Sequence, residues 1–227
     1  ATTQLIGSSF KLEYDGKSIP VRLPNIIAEH HISAALAAAA VGLFFKMNPL
    51  EVAEALRNFQ SLPGRMRLFE GVRHSLVVDD TYNASPKSLL AALKTLGSLE
   101  SARRVVALGD MLELGADSDQ AHRDVATWIL DGGIQDVFLL GKNMLLAKEE
   151  LERAGFPKDR LHWFSDPESL GEQLAASVRE GDMILLKGSQ GMRLEKAVEM
   201  VLLDPSGMRA RLCRQSDEWK RIPFLLS

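Results

Sequence analysis

The polar residues 79–83, which read DDTYN, have the residue types and the position to do chemistry. They follow an apolar run at residues 76–78 that predicts a buried strand, and they precede Ser85 and Pro86. Serine caps helices and proline favours the first helical turn, so this pair predicts the start of a helix. Ligands of open parallel sheets bind beyond the carboxyl ends of the strands. The stretch is therefore a candidate binding site, and the alternative is a capped turn in an ordinary strand–helix unit.

Polar residues and glycines also follow three later apolar runs that predict strands. They are Gly109 with Asp110, Gly141 with Lys142, and Lys187 with Gly188 and Ser189. In a parallel sheet these turns would meet residues 79–83 at one edge, which would suit an anionic ligand. Glycine lets the backbone approach a ligand, N–H groups at helix starts bind phosphate or carboxylate, and lysine supplies a point charge. Carboxylates at this edge can instead accept from a ribose hydroxyl or an ammonium group.

Arg65 lies at a predicted boundary between two domains. The preceding Pro63 and Gly64 break the chain, so we expect one domain at residues 1–62 and a second at residues 63–227. A guanidinium between two domains can reach a phosphate when the domains close, which is a common way to gate phosphoryl transfer. The alternative is a surface arginine in a linker.

The pattern of apolar residues predicts different architectures on the two sides of this boundary. Before it, alternating residues around Asp15 and Gly16 predict a β-hairpin at residues 9–14 and 18–23. Helices are predicted near residues 26–46 and from residue 49. After the boundary, short apolar runs predict strands at residues 67–71, 75–79, 104–108, 136–140, 161–164 and 182–186. Helices are predicted between and after them, at residues 86–96, 118–131, 143–154, 167–179 and 192–203. This alternation predicts the α/β class, with a Rossmann-like, mostly parallel sheet and helices on both faces.

Composition limits the class of protein. The chain of 227 residues is 46% hydrophobic, has a formal net charge of −3 and contains one cysteine. This balance gives no sign of a nucleic-acid surface or a polybasic membrane patch, and one cysteine allows no disulfide within the chain. The longest uncharged apolar run, residues 32–45, is too short to span a bilayer. We expect small-molecule or protein partners, no nucleic acid and no membrane association.

The sequence also argues against two kinds of site. The five histidines lack the spacing of a zinc site, so no metal ligands are predicted. No nucleophile has a base beside it in the pattern of covalent hydrolases. The chain begins at Ala1 with no visible signal peptide, and we therefore expect a fragment of a longer protein.

Four motifs occur in one order along the chain. They are LPGRM at residues 62–66, DDTYNASP at 79–86, ALGDMLELG at 107–115 and LLKGSQGMRLE at 185–195. Together they resemble the Mur ligases of peptidoglycan synthesis, and DDTYNASP and GDMLELG look closest to the branch that adds D-alanyl-D-alanine. The run HHISAALAAAA at residues 30–40 is similar to the alanine-rich helix of the family's central domain. The resemblance extends to about residue 203.

The resemblance implies a three-domain cytoplasmic ligase. In it ATP, with Mg2+, phosphorylates the terminal carboxylate of UDP-N-acetylmuramoyl-tripeptide, and the amine of D-alanyl-D-alanine attacks the acyl phosphate. Residues 1–62 would be the end of the central ATPase domain, and residues 63–227 the C-terminal domain. The family's phosphate-binding loop and Mg2+ ligands are not in this sequence, so we predict that the chain alone is inactive. Its partners would be ATP and the two peptide substrates, and we expect a monomer.

The resemblance also implies roles for individual residues. Arg65 and Lys187 would be catalytic. The nucleotide would be bound by Arg65, Asp80, Tyr82, Asn83 and His30, and the substrates by Asn83, Asp110, Lys187 and Ser189. Two positions depart from the family pattern, because asparagines that pair with adenine are replaced by His31 and Ala34. Alanine has no side-chain hydrogen bond to offer adenine.

Two other functions stay open on the sequence alone. A non-catalytic binding module could keep the same polar edge and act as a partner or sensor, which the altered adenine positions would allow. A related ligase of the Mur or folylpolyglutamate type could add a different amino acid, because motif spacing does not determine selectivity.

Overall fold

The structure, a computed structural model, describes residues 7–225. The chain divides into two compact units, Ala1–Leu62 and Pro63–Ser227. The assignment of these units to domains of a larger enzyme stays a prediction. Within the described residues, every helix is too short or too polar to cross a lipid bilayer.

The first unit is a β-hairpin packed on two helices. Strands β1 (Gly7–Tyr14) and β2 (Lys17–Pro24) are antiparallel, and Asp15 and Gly16 between them have φ of 50° and 69°. Asp-Gly favours this left-handed conformation in two-residue hairpin turns, and the predicted hairpin is confirmed. Helices α1 (Glu29–Phe44) and α2 (Pro49–Leu56) follow. The core of this unit includes Leu12, Val21, Leu23, Ala35, Ala39 and Val52.

Helix α1 begins three residues later than the sequence pattern predicts. Asn25 has a φ of 62° and Ala28 is extended, so the helix can start only at Glu29. The buried Ile26 belongs to the turn before the helix and packs into the same core. An apolar residue at helical spacing is thus buried without being helical.

The second unit is built on a six-stranded sheet. Its strands are β3 (Arg67–Glu70), β4 (Leu76–Asp80), β5 (Arg103–Gly109), β6 (Asp136–Leu140), β7 (Leu161–Phe164) and β8 (Asp182–Lys187). The spatial order is β3-β4-β8-β5-β6-β7. Strands β3 and β4 at one edge are antiparallel, and the other four neighbouring pairs are parallel. The predicted α/β class and mostly parallel sheet are confirmed.

Helices cover both faces of this sheet. They are α3 (Pro86–Ser98), α4 (Ser118–Asp131), α5 (Met144–Arg153), α6 (Pro167–Ser177) and α7 (Glu195–Val201). Helices α6 and α7 pack on each other, and α4 packs between α3 and α5. Successive side chains of a strand point to opposite faces. Accordingly Val77 packs in one core with Leu170 and Val198 of α6 and α7, and its buried neighbour Val78 points to the other face.

Strand β8 lies between β4 and β5, although it comes last in the sequence. In this register Lys187 is opposite Asp80 on one side and Leu108 on the other. The carboxyl ends of three strands that carry polar motifs therefore lie side by side. Ligands of such sheets bind at a point like this, where chain connections leave neighbouring strands in opposite directions.

The chain after α7 returns to this edge of the sheet. Two short helices follow, α8 (Pro205–Met208) and α9 (Asp217–Arg221). The amide of Leu225 donates to the carbonyl of Gly191 at 3.1 Å, close to the end of β8. Residues 212–225 are called the C-terminal segment below.

Candidate functional site

Asp79 and Asp80 end strand β4 and point in opposite directions, and they differ in what they bind. The Asp79 carboxylate accepts hydrogen bonds from the amide and hydroxyl of Thr81, at 3.1 and 2.6 Å, and from the amide of Gly64 at 3.2 Å. It is fully buried, and burial raises the pKa of Asp79 to about 6 even though the Thr81 hydrogen bonds oppose the shift. Asp79 therefore fastens the turn at Gly64 to the end of the strand.

Asp80 forms a buried ion pair with Lys187. The Nζ of Lys187 lies 2.6 Å from Oδ2 of Asp80 and donates to the carbonyl of Asn83 at 3.0 Å. The other Asp80 oxygen accepts from the amide of Met66 at 3.1 Å. The Lys187 side chain is 2% exposed. Through these contacts one lysine connects the ends of β4 and β8 to the loop at residues 81–83.

Arg65 and Tyr82 form the exposed part of the site. The Arg65 guanidinium lies 4.2 Å from the centroid of the Tyr82 ring, a cation–π distance. The amide of Tyr82 donates to the carbonyl of Gly64 at 3.0 Å, which fixes the two loops against each other. Gly64 has a φ of 68°, and a Cβ there would lie 2.8 Å from the Tyr82 nitrogen, so this close approach requires glycine.

Asp110 lies at the same edge, but its carboxylate is fully buried and faces helix α5. It accepts from the amides of Asn143 and Met144 at 3.1 and 2.8 Å, so it caps the start of that helix. Its backbone carbonyl accepts from the amide of Ser189 at 3.0 Å. Its predicted contact with substrate stays a prediction. Gly141 keeps φ at 106°, and a Cβ there would lie 2.5 Å from the Asp110 carboxyl carbon.

Ser189 and His122 hold the loop that follows β5. The Ser189 hydroxyl oxygen accepts from the amide of Leu112 at 2.8 Å, which leaves its proton able to donate to a ligand. Nε2 of the fully buried His122 accepts from the amide of Met111 at 3.0 Å, and Nδ1 lies 2.7 Å from the carbonyl of Ser118. These contacts require the Nδ1–H tautomer. Spacing in the sequence gives no signal for this supporting role of His122.

The C-terminal segment contacts the loop at residues 81–83, and sequence reasoning did not predict this. The Arg214 guanidinium donates to the carbonyls of Thr81 and Tyr82, the latter at 3.0 Å, and lies 3.1 Å from the carboxylate of Glu195. The other Glu195 oxygen accepts from Arg193 at 2.6 Å. All three charged side chains are buried. The arginines are separated in sequence from the loop by more than 100 residues, so a local pattern could not reveal the contact.

A cavity of about 360 Å³ opens beside these loops. Its polar wall includes Asn83, Glu113 and Ser189, and its apolar wall includes Trp219, Ile222 and Leu225 of the C-terminal segment. The Asn83 side chain accepts from the amide of Ala84 at 2.9 Å and is exposed to the cavity. Such a mixed lining fits a small ligand that carries both polar groups and methyl groups.

The predicted site residues thus fall into two groups. Asp80, Asp110, Lys187, Ser189 and Asn83 lie along one edge of one sheet, with Arg65 and Tyr82 beside them. His30 belongs to the first unit, where it is exposed on the first turn of α1 and its ring centroid lies 4.3 Å from that of His31. Within residues 7–225, no group of three or more His, Cys, Asp or Glu side chains is placed to hold a metal ion.

Comparison with known proteins supplies independent information. Residues 64–190 match the family model described as Mur ligase, glutamate ligase domain. The UDP-N-acetylmuramoyl-tripeptide--D-alanyl-D-alanine ligase of Bacillus subtilis is 32% identical over 182 residues, which cover 79% of this chain and 39% of that protein. The chain therefore spans about two fifths of the length of that relative.

Solved structures agree with the fold. A crystal structure of MurF from Acinetobacter baumannii superposes with a TM-score of 0.73 at 27% identity, over 86% of this chain and 43% of that one. A MurF ligase from Thermotoga maritima in complex with ADP superposes with a TM-score of 0.66 over 86% of this chain and 43% of that one. At 24% identity the second likeness shows the fold alone.

Proposed function

This chain belongs to the Mur ligase family, and from that premise we propose that it is the C-terminal portion of an ATP-dependent ligase that adds D-alanyl-D-alanine to UDP-N-acetylmuramoyl-tripeptide. The reaction is a step of peptidoglycan biosynthesis. Residues 1–62 are proposed to end the central ATPase domain, and residues 63–227 to form the C-terminal domain. The family premise also supports a cytoplasmic enzyme that acts as a monomer on small-molecule substrates.

The observation that carries the proposal is the meeting of three motifs at one edge of the sheet. Asp80, Lys187 and Ser189 come from the DDTYN and KGS motifs, and Asp110 comes from the GDM motif. Direct hydrogen bonds join Asp80 to Lys187 and Asp110 to Ser189. A cavity of about 360 Å³ adjoins them and has room for a short peptide. These contacts support a shared site for the motifs.

The nucleotide is proposed to bind at the exposed side of this edge. Arg65 would contact the phosphates of ATP, because its guanidinium is exposed and held beside Tyr82. Tyr82 and Asn83 would face the nucleotide, and a nucleotide contact of His30 stays a prediction of the family resemblance. ATP with Mg2+ supplies the phosphoryl group that activates the tripeptide carboxylate. The Mg2+ ligands are proposed to lie in a longer protein, outside the residues described here.

The dipeptide is proposed to bind where Asn83 and Ser189 line the cavity. Its amine would attack the acyl carbon of the activated tripeptide, so that a C–N bond forms, the C–O bond to phosphate breaks, and the proton lost from nitrogen goes to the released phosphate. Asn83 and Ser189 can donate to the dipeptide and hold its amine near the acyl carbon. The contacts of Lys187 support a positioning role, since its ammonium group is already bound to Asp80 and the Asn83 carbonyl.

A non-catalytic binding module is the second candidate, and one observation favours it. Ala34 stands where the family resemblance expects an asparagine that pairs with adenine, and its side chain is exposed on α1 without a polar group. A chain that binds nucleotide weakly could serve as a partner or sensor of cell-wall precursors. Both candidates predict dipeptide binding at the same cavity, but only the ligase predicts a product.

Product formation separates these candidates. The longer protein that contains this chain should convert UDP-N-acetylmuramoyl-tripeptide, ATP and D-alanyl-D-alanine to the pentapeptide, measured by mass spectrometry, and the isolated chain should give none. Turnover by the isolated chain would overturn the predicted inactivity. Product with D-alanine or glutamate, but none with D-alanyl-D-alanine, would overturn the substrate assignment in favour of a related ligase. Binding of the dipeptide without any product would support the binding module.

A further inference from the structure

The C-terminal segment holds the loop of the site through one arginine. Arg214 donates to two successive backbone carbonyls, those of Thr81 and Tyr82. These residues immediately precede Asn83, whose side chain lines the cavity. A fixed backbone at residues 81–82 limits the directions in which the Asn83 side chain can point. Arg214 therefore acts on the cavity through the loop and without lining it.

Arg214 belongs to a buried network of paired charges. Glu195 lies between Arg193 and Arg214, with closest approaches of 2.6 and 3.1 Å, and the three side chains are at most 3% exposed. Burying charged groups is costly unless they are paired and hydrogen-bonded. Arg193 also adopts a left-handed φ of 53°, which is uncommon for a residue other than glycine. A segment that merely rested on the surface would need none of these contacts.

The same segment forms the apolar wall of the cavity. Trp219, Ile222 and Leu225 face a polar wall that contains Asn83 and Ser189. The segment approaches closely, since a Cβ at Gly191 would lie 3.0 Å from the Leu225 side chain. Side chains of residues 212–225 thus form one side of the cavity. The match to the family model ends at residue 190, so this segment lies outside the matched residues.

We propose that the C-terminal segment is a specificity element of the site: Arg214 positions the loop at residues 81–83, and Trp219, Ile222 and Leu225 limit the size of the amine substrate. The occupant is a short dipeptide with small side chains, whose amide and charged ends meet Asn83 and Ser189 and whose methyl groups meet the apolar wall. This inference rests on the proposed function, which supplies the dipeptide as substrate.

The three tryptophans of the chain provide a direct measure of where the dipeptide binds. Trp219 lines the cavity, whereas Trp128 and Trp163 lie on α4 and β7. In the protein labelled with 5-fluorotryptophan, each 19F resonance is assigned by a tryptophan-to-phenylalanine variant. Titration with D-alanyl-D-alanine should shift the Trp219 resonance saturably and leave the other two in place. A saturable shift at Trp128 or Trp163 alone would place the dipeptide elsewhere and overturn the inference.

Selectivity tests the apolar wall in the full-length ligase. Leu225→Ala and Ile222→Ala should widen the cavity and raise kcat/KM for D-alanyl-D-norvaline, relative to D-alanyl-D-alanine, by about tenfold. Leu203→Ala is the matched control, because Leu203 is exposed and does not line the cavity. An unchanged ratio in both cavity variants would overturn the inference.

Arg214 is tested as a positioning residue. Arg214→Gln should lower kcat for D-alanyl-D-alanine by about tenfold or more and change KM less, because the loop is misaligned while the cavity persists. Arg214→Lys should restore part of kcat, and Arg211→Gln, at an exposed arginine of the same region, should behave as wild type. If Arg214→Gln does not fold, the Trp219 resonance and the two cavity variants still test whether the C-terminal segment is part of the site.

The outcomes separate this inference from the proposed function. If the full-length protein makes the pentapeptide while the Trp219 resonance does not move and selectivity does not change, the C-terminal segment is not part of the site and the proposed function stands. If D-alanyl-D-alanine neither moves the Trp219 resonance nor yields product, the proposed function fails and this inference fails with it.

Discussion

Lys187 Nζ lies 2.6 Å from Asp80 Oδ2, and both side chains are buried where the neighbouring parallel strands β4 and β8 end. Residue 80 belongs to the DDTYN motif and residue 187 to the KGS motif, 107 positions later. The ion pair therefore joins two motifs that are distant in sequence. Because Lys187 also binds the Asn83 carbonyl, the pair holds the loop that lines the cavity.

Removal of Lys187 should destabilise the fold. Lys187→Met removes the ammonium group that pairs with the buried Asp80 carboxylate, and such a change costs about 3–5 kcal/mol in the free energy of unfolding. Lys196→Met is the control, since Lys196 pairs with Glu168 on the surface and should contribute less than about 1 kcal/mol. Urea unfolding of the chain measures both. Equal losses in the two variants would mean that the Asp80–Lys187 pair has no special role.

Asp79 should make the stability depend on pH. Its pKa is about 6 in the folded chain, above the usual value of 3.8, so the folded state binds the proton more tightly than the unfolded state. This stabilisation is complete below about pH 4 and is lost as pH rises through 6. Between pH 5 and 7 the loss is about 1 kcal/mol. Asp79→Asn cannot titrate, so its unfolding free energy should lack this component.

The comparison of the two proteins isolates the Asp79 contribution, because all other titrating groups are shared. Urea unfolding at pH 5, 6 and 7 should show that the wild type loses more stability than Asp79→Asn as pH rises. Parallel curves for the two proteins would contradict a raised pKa at Asp79.

Cys213 should react slowly with thiol reagents. Burial, with a smaller contribution from the Asp79 charge, raises the pKa of the Cys213 thiol from 9.0 to about 11. The thiolate is the reactive form, and a pKa that is higher by two units lowers the thiolate population about 100-fold near pH 8. Reaction with a disulfide reagent should be at least that much slower than in the urea-unfolded chain, and its rate should still rise at pH 9.5. Equal rates in the folded and unfolded chains would contradict this assignment.

Arg103 anchors the opposite edge of the sheet, where the strands begin. Its guanidinium lies 2.6 Å from Asp182 and 3.0 Å from Asp136, and the hydrogen bond to Asp182 is the main cause that raises the pKa of Arg103. Arg103→Met removes the guanidinium that pairs with both buried carboxylates, although Asp182 keeps a hydrogen bond from the amide of Arg179, and should cost about 3–5 kcal/mol in unfolding free energy.

Arg123→Met is the matched control for this edge, because the Arg123–Glu150 pair is partly exposed and should contribute about 0.2–1 kcal/mol. In the full-length ligase both variants should retain their KM for D-alanyl-D-alanine, since neither arginine lies at the candidate site. An altered KM in Arg103→Met would show that the two edges of the sheet are coupled.

The sequence was sufficient to predict the class of fold, because hydrophobic periodicity is a local property. Runs such as Val77–Val78 are buried on both faces of a parallel sheet and alternate with amphipathic helices. The strand order could not be predicted in this way. Strand β8 lies between β4 and β5, and this placement depends on contacts between residues that are far apart in sequence.

The sequence predicts that the motifs of the candidate site meet, but it does not predict the contacts of their side chains. The motifs that contain Asp80, Asp110 and Ser189 do meet at one edge. What their side chains bind could not be read from spacing, since the Asp110 carboxylate faces the start of α5. The last predicted helix, residues 192–203, begins at Glu195, because Arg193 has a left-handed φ of 53° that a right-handed helix cannot contain. The hydrogen bonds from Arg214 to the loop at residues 81–83 carry no local signal, because they join residues more than 100 positions apart.

The most direct test of the proposed site is the activity of Asn83→Ala in the full-length ligase. Asn83 is exposed, its side chain bonds to the adjacent Ala84 amide, and its backbone carbonyl, which binds Lys187, is kept in the variant, so the free energy of unfolding should stay within about 0.5 kcal/mol of wild type. Loss of a hydrogen bond to the dipeptide should lower kcat/KM for D-alanyl-D-alanine by about 10- to 100-fold, whereas Lys87→Ala, at an exposed residue of the following helix, should leave it unchanged. Wild-type kcat/KM in Asn83→Ala would contradict the assignment of this edge of the sheet as the place where the dipeptide is joined.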